Sequence, residues 1–170
     1  MPTTDEVIMS YVQKPENVSG NARVTGNAYV SGDARVYGNA YVYGDAYVYG
    51  NAHVYGDACV SGNAHVSGNA YVYGDAYISR DACVSGNACV YGDARVSGNA
   101  DILVIGPAIS SGRYTTAHTD SVIGVRVNTG CFSGTVEEFI AAIERTHKDN
   151  AVALRQYRGF VAAIKAHFWL

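Results

Sequence analysis

Residues 42–60 read VYGDAYVYGNAHVYGDACV, one six-residue phrase stated three times and begun a fourth. Set in register, the phrase runs without insertion over residues 18–101 as fourteen hexads of the form Val-(Ser/Tyr)-Gly-(Asn/Asp)-Ala-x. The first position is Val except at Ile78, the third is Gly except at Arg80, the fourth is Asn or Asp, and the fifth is always Ala. A period of six suits neither a helical heptad nor a meander of hairpins. Alternation along Ala-x-Val-x places Ala and Val on one face and the variable residues on the other. Gly followed by Asn or Asp is turn chemistry that tolerates positive φ. Each hexad is therefore expected to form a short strand and a corner.

The phrase resembles the hexapeptide repeat of left-handed parallel β-helices, whose large aliphatic and small residues point inward and whose coils are triangles of three hexads. The resemblance covers about half of the chain. It implies a mainly β fold, a left-handed parallel β-helix over residues 18–101, with residues 1–17 as an N-terminal cap or arm. Roughly four and two-thirds coils, at the ~4.8 Å spacing of neighbouring strands, would stand about 22 Å tall. Each coil touches only its neighbours, so both ends need covering. Acyltransferases that share this fold are typically trimers, and the resemblance implies a homo-oligomer of that kind.

Three hexads per coil bring residues eighteen apart into columns. The position after Val then aligns Tyr37, Tyr55, Tyr73 and Tyr91 on one face, beside Arg35, His53, Tyr71 and Cys89. The positions after Val on the other two faces are mixed: Thr25, Tyr43, Ser61, Ser79 and Ser97 on one, Ser31, Tyr49, Ser67, Ser85 and Leu103 on the other. One face of the prism is thus expected to be flat and aromatic. Stacked identical side chains stabilise neighbouring strands, whereas an exposed tyrosine stripe is the composition of a subunit interface. Residues 18–101 contain no lysine, which suits a packed surface.

Of the four cysteines, Cys59, Cys83 and Cys89 fall on three different faces in this register, out of reach of a disulfide or a zinc site. His53 and His65 also lie on different faces, so neither a metal nor a cofactor is expected. A formal charge of −3 argues against a nucleic-acid binder with a broad basic surface. No run of eighteen apolar residues is present to span a membrane. Free cysteines without a signal peptide suit a reducing cytoplasm.

The resemblance also raises acyl transfer from an acyl-CoA donor. Enzymes of that family usually interrupt a coil with a loop that helps form the active site, and they employ a histidine as general base. The array here is uninterrupted, and fold alone does not carry function.

At Ile102 the grammar changes, and residues 102–170 read as a small α+β module of three strands and two helices. ILVIGPAI, SGRYTTAHT and SVIGVRVNTG are the strand-like segments. Thr135 with Glu138 is a capping box. Val136, Phe139, Ile140 and Ile143 recur at helical spacing to about His147. A second helix is expected from about Ala151, with Leu154, Tyr157, Val161, Ile164 and Phe168 as its apolar stripe. Such a module can cover the last coil. GVRVNTGCFSGTVEEF followed by THKDN resembles a C-terminal module of bacteriophage and prophage hexapeptide proteins. That likeness implies a phage or prophage origin and a host cytoplasm, and it transfers no activity.

Cys131, His147 and Asn150 together suggest a cysteine-protease-like triad, but His and Asn so close at a helix end read more simply as capping residues. No catalytic residue is therefore assigned. Ligand binding is the stronger expectation. Arg113, Tyr114, Thr115 and Thr116 fall on one expected strand, with Arg113 and Thr115 on one face and Tyr114 and Thr116 on the other. Arg113 suits a bidentate phosphate contact, and Tyr114 can stack on a base. Gly134 and Thr135 present backbone N–H groups at a helix start, an anion site. These features point to an oligomeric phage-type binding protein whose module holds a phosphate-bearing small molecule or a host defence protein. Sequestration of a nucleotide immune signal is the concrete form; acyl transfer and a structural virion role are the alternatives.

Overall fold

The computed structural model describes residues 10–109 and 111–170; residues 1–9 of the expected N-terminal arm lie outside the described residues. Residues 11–96 carry fourteen two-residue strands in three parallel sheets of five, four and five strands. Partners are eighteen residues apart: Tyr29 pairs with Tyr47, Arg35 with His53 and Tyr41 with Cys59. The chain is thus a parallel β-solenoid of three-sided coils. The first rung precedes the hexads, because Tyr11–Val12 pairs with Tyr29–Val30. A 3-10 turn, Pro15–Asn17, closes this end, and the buried Asn17 side chain donates to the carbonyls of Ala34 (2.7 Å) and Gly32 (3.2 Å).

Val and Ala of the repeat fill the interior, fully buried from Ala28 to Val96. Each buried Val is worth roughly 1.5–3 kcal/mol, and its branched Cβ suits a pleated strand. Gly is required at the corners for two reasons, as Gly68 shows. Its φ is +68°, and an added Cβ would lie 2.8 Å from the backbone nitrogen of Gly86 in the next coil. Arg80 adopts the same left-handed conformation with φ 53°. The residue after Gly forms side-chain ladders, in which the Asn39 amide donates to Asp57 (3.0 Å) and Asn63 to Asp81 (3.0 Å).

The C-terminal module is an antiparallel sheet of four strands, Ile102–Ile105, Thr115–Asp120, Gly124–Thr129 and Phe132–Gly134, paired in that order. This is one strand more than expected. Phe132–Gly134 returns from the Gly130 turn too briefly to show a period of its own. The second strand begins at Thr115, so Arg113 and Tyr114 lie in the approach to it. Helices α1 (Val136–His147) and α2 (Ala151–Phe168) follow at the expected places. The Thr135 hydroxyl accepts from the Glu138 N–H (3.2 Å), and the Thr135 N–H donates to the Glu138 carboxylate (2.8 Å). Phe139, Ile143, Tyr157, Phe160 and Ile164 form a core separate from that of the solenoid.

The module takes the place of the next coil. Ala94 bridges Asp120 in antiparallel fashion, and the Ser121 N–H donates to the Asp93 carbonyl (3.2 Å). The Thr119 hydroxyl donates to the Arg95 carbonyl. The Cys89 N–H donates to the Thr116 hydroxyl (3.0 Å), and the Cys89 carbonyl accepts from the Asn128 amide (3.2 Å). Side chains thereby satisfy backbone groups that a further coil would have paired. Among the described residues, no helix is long and apolar enough to cross a membrane.

Candidate functional site

A cleft lies in the C-terminal module. It encloses about 500 Å³ between the Thr129–Phe132 turn, α1 and α2. Its apolar floor comes from Phe132, Phe139, Ala142, Ile143 and Tyr157, and its polar rim from Ser111, Arg113, Cys131, Thr146 and His147. None of the lining residues is acidic. The floor is the exposed margin of the module core. Phe132 packs on Phe139 (ring centroids 5.4 Å apart), and Phe139 meets Tyr157 edge-on.

On its way to the rim, the Arg113 stem packs close over Gly130. A Cβ there would lie 3.1 Å from Arg113 Cδ, and Gly130 itself holds φ at +57°. No carboxylate pairs with Arg113 among the described residues. His147, in the last turn of α1, stacks on Tyr157 at 5.0 Å and 17°. The Tyr157 hydroxyl lies 3.4 Å from that of Ser111. Cys131 is exposed at the turn. A cleft with an apolar floor and one free guanidinium can take an amphipathic anion.

The expected ligand residues are not all brought together. Arg113 lines the cleft, whereas Gly134 and Thr135 do not. The Thr135 N–H is already occupied by the Glu138 carboxylate, which places a negative charge where an anion was expected. Thr115 is fully buried with its hydroxyl unpaired, and Thr116 is committed to Cys89. The Tyr114 carbonyl accepts from the Thr129 hydroxyl (3.2 Å). Strand alternation suggested that Thr115 accompanies Arg113, but Arg113 precedes the strand. Of the cysteine-centred group, Cys131 and His147 share the cleft. Asn150 instead caps α2, its side chain accepting from the Ala153 N–H (3.0 Å), so it does not orient His147.

The tyrosine column is a continuous stack within one chain. Tyr37, Tyr55, Tyr73 and Tyr91 follow one another at 4.8 Å, with interplanar angles of 3°, 6° and 15°. Desolvation raises the pKa values of Tyr37, Tyr55 and Tyr73 above the ordinary 10, so their hydroxyls stay protonated. Aromatic character is not confined to this face. Tyr11, Tyr29, Tyr47 and His65 form a second column, stacked except for a 36° tilt between Tyr29 and Tyr47. Tyr41 and Tyr77 stand exposed on the third face. This second column occupies the position before Val, outside the after-Val columns used to judge that face. The Tyr43 hydroxyl lies 2.9 Å from that of Tyr77, to which the buried Ser61 hydroxyl also donates (3.4 Å), and the contact with Tyr77 lifts the Tyr43 pKa to about 12.

A polar knot at the junction carried no periodic signal. His118 is fully buried, with Nδ1 2.9 Å from the Thr119 carbonyl and Nε2 3.0 Å from the Asn128 amide nitrogen. A carbonyl only accepts, so the proton sits on Nδ1 and Nε2 accepts. Burial holds the His118 pKa below the usual histidine value. Burial alone would raise Asp120, but the Arg126 guanidinium (2.6 Å) and the N–H groups of Val122 and Ile123 outweigh it and keep the carboxyl low.

The YdcK beta solenoid repeat matches this chain over residues 18–32, 28–44 and 34–50. No curated protein and no solved structure matches it. With three matched segments at the start of the array and parallel partners eighteen residues apart through all of it, the chain is a β-helix repeat protein.

Proposed function

We propose that the chain is a non-enzymatic, oligomeric binding protein in which the solenoid is the assembly scaffold and the C-terminal module holds a phosphate-bearing small molecule. The observation that carries this reading is the cleft, with Arg113 unpaired at its rim and no acidic residue in its lining. The likeness of most of residues 102–165 to phage and prophage modules supports a phage-type protein acting in a host cytoplasm. There, a nucleotide immune signal is the ligand class that such a sink would remove. The tyrosine column supports side-by-side association into a trimer: the ring faces stack on one another, leaving a row of edges whose ~4.8 Å period another solenoid would match.

Calorimetric titration of linear and cyclic nucleotides, with acetyl-CoA beside them, tests the reading. A charge-assisted contact is worth about 1.5–3 kcal/mol, so Arg113→Ala should weaken nucleotide binding roughly tenfold to a hundredfold. Lysine at 113 should rescue only part, because it lacks the planar fork. Acetyl-CoA binding with turnover, or nucleotide binding indifferent to residue 113, would overturn the assignment. Light scattering tests the scaffold: Tyr55→Glu with Tyr73→Glu should give folded monomers, and an unchanged oligomer mass would refute the tyrosine interface.

A further inference from the structure

Resting on that reading, we infer that the cleft recognises one planar aromatic ring system bearing one anionic group, a ligand of mononucleotide size rather than a cyclic oligonucleotide or an acyl-CoA. Volume is the first argument. About 500 Å³ lies in the lower part of the range of small-molecule sites, room for one ring system and a compact substituent. A second nucleotide or a pantetheine arm would remain outside in water and gain little from the floor.

Charge is the second argument. Arg113 is the only lining residue with a permanent positive charge; the lining contains no lysine, and His147 is the only other basic side chain. A single guanidinium matches one phosphate or carboxylate in its planar fork. A second phosphate would find no second permanent cation in the lining.

Shape is the third argument. His147 and Tyr157 form a two-layer aromatic wall, with rings 5.0 Å apart and nearly parallel. Tyr157 is buried behind His147, while His147 is half-buried and turned to the cleft. A third ring can extend the stack on the open side of His147 in the offset arrangement aromatic pairs prefer. Ser111 and the Tyr157 hydroxyl offer a polar edge to ring heteroatoms. The Arg113 stem lies across the turn at Gly130, where a Cβ would come within 3.1 Å of its Cδ.

Cys131 supplies a direct reporter, because its exposed thiol lines the cleft, while exposed Cys83 on the solenoid serves as an internal control. The full-length protein is alkylated with N-ethylmaleimide, and the two cysteine peptides are followed by mass spectrometry. The probes are AMP, 1-naphthyl phosphate, ribose 5-phosphate, adenosine and cyclic di-AMP. AMP and 1-naphthyl phosphate should slow Cys131 labelling about tenfold at saturation and leave Cys83 unchanged. Ribose 5-phosphate and adenosine should each need roughly ten- to a hundredfold higher concentration, since each lacks one of the two contacts. Arg113→Ala should cost AMP roughly tenfold to a hundredfold and leave adenosine unchanged. Protection by ribose 5-phosphate equal to that by AMP would show that no ring is read; equal protection by adenosine would show that no anion is read. Cyclic di-AMP as effective as AMP would remove the size limit and this inference, while leaving the broader binding function standing. If no probe protects Cys131 and none binds by calorimetry, both readings fall.

Discussion

The solenoid and the C-terminal module solve the same burial problem in opposite ways. In the solenoid, the interior is built of Val, Ala and Ile78, and most strand N–H groups find their partners one coil away, as the Tyr41 N–H finds the Ala58 carbonyl, while corner side chains such as Asn39 and Asp57 pair in the same direction. Translation copies each satisfied contact up the stack. The module packs unlike side chains, Phe139 against Phe132 and Tyr157, and it pays for irregularity with loose ends. Thr115 Oγ1 and Asn128 Oδ1 are buried without partners, and a cleft stays open beside the core. A phrase repeated fourteen times offers few positions unlike their neighbours. The cleft with Arg113 at its rim and the buried His118 both stand in the part that does not repeat.

The largest expected break in this comparison comes from Val60→Asp. Val60 is fully buried in the central coils, and an unpaired carboxylate there should cost more than about 4 kcal/mol and unfold the array. Circular dichroism during urea denaturation reads this out. A variant that retains the native transition would mean that the column interior is not the true core.

A matched pair of glycine substitutions sharpens the contrast. Gly68→Ala introduces a left-handed alanine whose Cβ meets Gly86 backbone, and it should destabilise by roughly 2 kcal/mol. Gly159→Ala, at an exposed position of α2, has nothing within 4 Å of the new Cβ and should stabilise by roughly 0.5–1 kcal/mol. The same chemical change thus takes opposite signs in the two regions. Denaturation midpoints of both variants decide it, and equal signs would contradict the corner geometry.

The smallest effect is a pH dependence at the junction. His118 is neutral in the folded state with its pKa depressed by burial, whereas the unfolded chain takes up a proton near 6.5. The unfolded state therefore binds more protons in this range. The His118 contribution is fully present above pH 6.5 and is lost as pH falls from there towards the lowered folded value. Asp120 acts at lower pH, its contribution declining below about 3.8. Thermal unfolding measured between pH 7.5 and pH 5 should show stability falling for the native chain and a shallower fall for His118→Gln. An identical slope in both would place the titrating group elsewhere, with half-buried His53, also depressed by burial, as the next suspect.

The coil was legible because its determinants are local and repeated. Val, Gly, Asn or Asp, and Ala recur at fixed offsets, so strand, corner, interior and the eighteen-residue columns all follow from one hexad. The capping box at Thr135 and the extents of both helices were legible for the same reason, since caps and 3.6-residue spacing act within one or two turns. Tertiary structure alone decided where the unrepeated polar residues went. Alternation assigned Arg113 to a strand with Thr115, but the strand starts two residues later, and a slip at a strand end reassigns every side chain before it. Thr116 looked like a ligand contact and is instead the partner of the Cys89 N–H, 27 residues away. The meeting of Arg113, Cys131, His147 and Tyr157 in one cleft depends on how a hairpin turn, α1 and α2 pack together. Periodicity reports the environment of a side chain along its own element; only packing between elements places residues of different elements around one site.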